Sequence, residues 1–213
     1  MLAKRLEVVQ QGADKRIPSD KRAIMHRATA DLRASGIMDR VIKVRPAAPV
    51  RVAERIWAGG SLIRPPGRRS VGADCILRQL VTLCVAELYA LQQVVGTLKE
   101  HGASLVAITP QLAEASRSLI EKQGIGFDLL SDPGNEYAAE LGLRFKLPDD
   151  LKAVYLSFGN DLAVRNGEGS WTLPMPGRFV VDRTGIVRAA DVDPDYQYRP
   201  EPQKTVDDVK ALS

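Results

Sequence analysis

The scarce reactive side chains are two cysteines, Cys75 and Cys84, and two histidines, His26 and His101. Two histidines make a multi-histidine metal centre unexpected, and no Cys/His spacing here matches a zinc site. A Ser-His-Asp hydrolase has its residue types present but lacks a G-x-S-x-G elbow. Thiol chemistry is what remains. Cys84 falls where a long helix is expected to start, and the unpaired N–H groups and dipole of a helix N-terminus favour a thiolate. Oxidation of such a thiol is ordinary chemistry. The competing reading is a buried cysteine acting as a small hydrophobe. Cys75, nine positions upstream, is either its disulfide partner or an unremarkable cysteine.

The elements around Cys84 must hold it at a sheet. Leu88, Leu91, Val95 and Leu98 recur at three- and four-residue steps, one face of a helix ended by His101-Gly102. Residues 104–108 read as a central strand stopped by Pro110, residues 111–123 as a second helix and residues 127–130 as the next strand. Alternation at this spacing implies parallel strands with right-handed crossovers and helices on the sheet faces, an α/β class. Residues 76–83 are expected to be the strand that feeds the Cys84 helix.

Further along, 136–141 and 149–158 read as short helices, 145–148 as a connection and 160–170 as a polar, glycine-rich loop. The run 171–176 is extended, because each proline pushes its predecessor out of the helical region. Residues 178–181 and 186–190 flank Asp182-Arg183-Thr184-Gly185 as an antiparallel hairpin, and 206–212 close the chain as a helix. Upstream, a short first segment and a helix over 20–34 form an N-terminal helical extension, 1–43. An Arg/Pro-rich irregular stretch, 44–74, separates it from the main domain, 75–213. This element order is the outline of a thioredoxin-like fold.

Bulk properties exclude several classes. The chain of 213 residues suits one sizeable core. No run reaches the roughly 18 apolar residues of a membrane span, and no signal-peptide core opens the chain. Two cysteines are too few for a disulfide scaffold, so a reducing, cytoplasmic home is expected. Seven arginines against two acids between 44 and 78 account for the positive charge of +4. No aromatic platform or helical stripe accompanies them, so neither a nucleic-acid nor a membrane partner is expected.

Several strings resemble a known family. GASLVAITPQ, LLSDPGN, LPDDLKAVY, SWTLPMP, FVVDRTGIVR and DVDPDY, with IMHRATADLRASGI upstream, resemble the peroxiredoxin-like branch of the alkyl hydroperoxide reductase/thiol-specific antioxidant (AhpC/TSA) family. The likeness covers about 20–43 and 84–200. It implies a thiol peroxidase that reduces hydrogen peroxide or organic hydroperoxides and draws on thioredoxin or another thiol reductant. It implies no cofactor and no metal, and a homodimer is the assembly to test. In that branch W-C-P-Y-C opens the helix: the first cysteine attacks the peroxide and becomes a sulfenic acid, and the second resolves it as a disulfide.

The chain departs from this pattern at the decisive place. Aligning CVAELYALQ sets Cys84 on the second cysteine of the motif and Val81 on the first. Valine forms no thiolate, so impaired turnover is expected, with Cys84 as the remaining catalytic candidate. A catalytically silent homologue, either a binding module or the product of a frame-disrupted gene, is the alternative. Two compensating frame changes near 44 and 83 would explain a break confined to 44–83. Thioredoxin-like folds also place a cis-proline before the hairpin strand, facing the redox helix. Pro176 stands there, with Pro174 a competitor and a trans-proline in an extended run the other reading. Trp171 and Arg178 are near enough in sequence to line the same substrate cleft.

Overall fold

The computed structural model describes residues 2–14, 16–42, 69–71, 81–112 and 124–212. Two helices come first, α1 (Leu2–Asp14) and α2 (Ser19–Ala34), followed by a short 3-10 turn at Ile37–Asp39. Next come β1 (Arg69–Val71), α3 (Val81–Gln92), α4 (Val95–Glu100), β2 (Ala103–Thr109) and β3 (Asp128–Ser131). The chain continues through α5 (Glu136–Glu140), β4 (Arg144–Lys146), α6 (Asp149–Ser157), α7 (Leu162–Asn166) and β5 (Thr172–Pro174). It ends with β6 (Gly177–Val181), β7 (Val187–Val192) and α8 (Pro202–Lys210).

The main sheet has the order β3-β2-β1-β6-β7. β1, β2 and β3 are parallel; β6 runs antiparallel to β1, and β7, antiparallel to β6, returns to the direction of β1. Side-chain alternation sorts the core. Leu105 and Val180 face one way, onto Leu91, Val95 and Leu98 of α3 and α4 and onto Val206 and Val209 of α8. Ile108, Phe179 and Val181 face the other way, onto Ile37, Val41, Leu141 and Leu143. Arg178 is two residues before Val180, which turns its side chain toward the α3 side. The architecture is the thioredoxin-like fold with N-terminal helices.

Several expectations are revised. The strand expected over 76–83 is absent from 81–83, which are helical; 76–80 lie outside the described residues, as do Cys75 and most of the helix expected at 111–123. Arg69–Val71, read as irregular, pairs with both β2 and β6. Its pairing is decided by long-range neighbours, which override weak local β-propensity. The helix expected to run unbroken to His101 is divided at Gln93 and Val94. Their N–H groups bond three residues back, to Ala90 and Leu91, as the chain enters the weakly helical Val94-Val95-Gly96. Residues 160–170 contain α7, whose Asp161 carboxylate accepts the Ala163 N–H at 3.0 Å and whose end is Gly167. Phe145 and Lys146, read as connection, pair with β5. α8 starts earlier than expected because Pro202 suits the first turn.

The extension is tied to the domain at Gly142. The Ile42 N–H bonds the Leu141 carbonyl at 3.1 Å. A Cβ on Gly142 would meet the Arg40 carbonyl oxygen at 2.1 Å, and its φ of +75° is itself a glycine conformation.

Candidate functional site

Cys84 is the fourth residue of α3, in its first turn, while Val81 opens the helix. It is buried, at 2 % exposure, and is not part of a disulfide. The inward stripe of α3 runs Cys84, Glu87, Leu88 and Leu91, so a carboxylate is carried into the interior one turn after the thiol. Glu87 is answered from two directions. Its Oε1 accepts Arg178 Nη2 from β6 at 2.6 Å, and its Oε2 accepts Arg199 Nε, beyond β7, at 2.6 Å. Arg178 Nη1 also donates to Thr205 Oγ1 at 2.9 Å and to the Glu201 carbonyl at 3.2 Å. Arg199 Nη1 donates to the carbonyls of Tyr196 and Tyr198, which fixes its plane. Arg199 Nη2 is thereby aimed at Cys84 Sγ, 3.9 Å away.

All four side chains are buried. Both guanidiniums grip the same carboxylate, and the Arg199 guanidinium also faces the Cys84 sulfur. A guanidinium facing the sulfur favours its ionised form, while burial opposes it.

The other flank of Cys84 is apolar and aromatic. Cys84 shares a core cluster with Leu151, Tyr155, Trp171 and Leu173, and Tyr196 packs against it. Burial pushes the Tyr155 phenol well above the usual tyrosine range, and negative charge on Tyr196 and Cys84 adds to that. Tyr155 therefore stays protonated, an O–H donor.

The expected residues are placed as follows. Cys84 and Arg178 are linked through Arg199 and Glu87. Pro176 is buried at the mouth of β6 and shares a small recess with Glu87, Arg178 and Arg199. No peptide bond among the described residues is cis, so Pro176 is trans and the expected cis geometry is corrected. Both Pro174 and Pro176 fit the extended run in which any X-Pro bond keeps its ordinary trans preference. Trp171 joins the Cys84 cluster, with Lys152 Nζ 4.6 Å from its ring centroid. Its φ of +53° is rare for a bulky residue. Glu87 and Arg199 were not anticipated. Glu87 had a signal, a charge in phase with the buried stripe of its helix; Arg199, in an irregular Tyr-Arg-Pro segment, had none. Among the described residues no group of three His, Cys, Asp or Glu is placed to hold a metal ion.

A parallel-cored sheet with a helix presenting a buried thiol beside two guanidiniums defines a thioredoxin-like thiol protein. The AhpC/TSA family model matches residues 79–190, just over half of the chain, and the protein belongs to that family. Peroxiredoxin Q, chloroplastic, of Sedum lineare is 27 % identical over 129 residues, 61 % of this chain and 55 % of that protein's length. Two solved structures share the fold. Xanthomonas campestris peroxiredoxin Q is 14 % identical over 68 % of this chain and 79 % of its own, with a TM-score of 0.51. Mycobacterium tuberculosis AhpC is 13 % identical over 69 % and 70 %, also at 0.51.

Proposed function

We propose that the protein is a thiol peroxidase in which Cys84 is the attacking group. The observation that carries this is the Arg199 guanidinium held on Cys84 by a buried Glu87 that Arg178 also grips. The Cys84 thiolate attacks the terminal oxygen of a hydroperoxide, forming an S–O bond as the O–O bond breaks. The alkoxide, or hydroxide when the substrate is hydrogen peroxide, takes up a proton and leaves. The sulfenic acid then returns to the thiol through two thiols of an external reductant such as thioredoxin, giving water and a disulfide.

In the family's motif the attacking cysteine is the first of the pair, the position Val81 occupies. Moving the attack to Cys84 leaves no cysteine three residues upstream to resolve it, so the sulfenic acid in this scheme is reduced directly by external thiol. Pro176, Trp171 and Arg178 are proposed to line the substrate cleft, with Arg178 also bound to Glu87. Regeneration by a thiol pool fits a reducing compartment such as the cytoplasm; no helix among the described residues is long and apolar enough to cross a membrane. A homodimer remains the assembly to test. The second reading, a silent homologue, is favoured by the burial of Cys84.

Peroxide consumption with dithiothreitol or thioredoxin, measured for the parent and for Cys84→Ser, separates the two. Turnover in the parent that Cys84→Ser abolishes supports the peroxidase. No turnover in the parent, or equal turnover in both, removes it.

A further inference from the structure

A cavity of about 250 Å³ lies between α2 and the paired strands β4 and β5. Its roof is Met25, Ala28 and Leu32 of α2, an element N-terminal to the family match at 79–190. The interior surface is mostly apolar, with aromatic edges from Phe145, Tyr155 and Tyr196. Its charged lining groups, Asp31 and Lys146, are both exposed side chains of opposite sign. An uncharged occupant is favoured, because no buried charge waits to be paired. The volume exceeds the roughly 150 Å³ of an apolar cavity that accepts benzene.

Tyr155 and Tyr196 are among the residues that join the cavity to the Cys84 cluster. Tyr155 lines the cavity wall and belongs to the Cys84 cluster, and Tyr196 lines the same wall while its carbonyl fixes Arg199. A ligand under α2 therefore contacts side chains that also pack in or against the Cys84 cluster.

We infer that the α2-roofed cavity is a binding site for a compact aryl group, which makes α2 the element that selects aryl hydroperoxides over hydrogen peroxide at Cys84. The inference rests on the peroxidase reading for its chemistry and not for its binding site. On attack, the distal peroxide oxygen passes to Cys84 as the sulfenic acid, and the oxygen bonded to the carbon that carries the aryl group leaves with a proton as the alcohol. A thiol reductant restores Cys84 as described above. Aromatic edges in the wall favour offset contacts with an aryl body, beyond the area buried.

The product alcohol separates binding from chemistry. Titrating the full chain with 2-phenyl-2-propanol, followed by NMR, is expected to show saturable binding in the parent and equally in Cys84→Ser. Ala28→Phe, which fills the roof, is expected to weaken that binding at least tenfold. It is also expected to lower the ratio of kcat/KM for cumene hydroperoxide to that for hydrogen peroxide by about tenfold, the usual scale for losing one apolar contact set. If Ala28→Phe does not fold, Leu32→Gln puts a polar amide in the same roof at similar volume. No saturable binding to the parent, or binding to the roof variants as tight as to the parent, overturns the site. Binding without turnover of either peroxide keeps the site and removes the peroxidase reading instead.

Discussion

The two flanks of Cys84 are built from opposite materials. On one side Glu87, Arg178 and Arg199 bury three charges joined by hydrogen bonds through Glu87, with Arg178 Nε left without one. On the other, Tyr155, Trp171 and Leu173 offer apolar surface, opening toward the α2 cavity. The charged flank bears on the protonation state of the sulfur, and the apolar flank on what arrives beside it. A second contrast sharpens this. Ion pairs of the same chemical type, Arg27 with Asp150 and Arg33 with Asp193, join α2 to the domain at the surface. There water screens the charges and competes for them, so similar partners do a much smaller job.

These contrasts can be broken in order of size. Glu87→Ala leaves two guanidiniums buried without their carboxylate and is expected to cost about 3–5 kcal/mol in denaturant unfolding. A loss below about 1 kcal/mol would mean the cluster is hydrated rather than dry. Gly142→Ala comes next, because the new Cβ cannot avoid the Arg40 backbone. The expected cost is about 1–3 kcal/mol from strain alone, read as a lowered Tm. Truncation of Arg33 is expected to leave Tm unchanged, with its carboxylate partner already accessible to water.

Acid should act on a further contact. Glu201 accepts the N–H groups of Leu2 and Ala3, each at 2.8 Å, and so holds the start of α1. Burial opposes its charge, yet these backbone donors keep its carboxyl below the ordinary glutamate range. A carboxyl depressed in the folded state stabilises it above the unfolded pKa, and that contribution fades as pH falls through the folded value. Amide exchange of α1 should therefore rise selectively as pH drops below the normal carboxylate range, and Glu201→Gln should remove that dependence.

Much of this scaffold was legible in the chain. The stripe Leu88, Leu91, Val95 and Leu98, the Asp182–Gly185 turn and the run into Pro110 obey local rules, and the structure keeps them. Asp182 even satisfies its own turn, accepting from the Thr184 and Ile186 N–H groups. What local rules missed depends on partners distant in sequence. β1 is a strand because β2 and β6 flank it, and β4 exists through its pairing with Thr172–Pro174. α7 is the exception, since Asp161 and Gly167 marked both its ends. The site divides the same way. Cys84 was visible from its helix position and Arg178 from its neighbourhood. Arg199 acts across 115 residues of chain, and nothing local announces it.

The central claim is that the charged flank holds Cys84 as a thiolate. It is tested most directly by titrating the thiolate's ultraviolet absorbance in a Cys75→Ser background, so that one thiol reports. Arg199→Met removes the guanidinium at the sulfur while Arg178 continues to neutralise Glu87. The account predicts a midpoint below the ordinary cysteine value of about 8.5 in the Cys75→Ser parent, rising by at least about one unit on Arg199→Met. A midpoint at or above that ordinary value, unmoved by Arg199→Met, would contradict it.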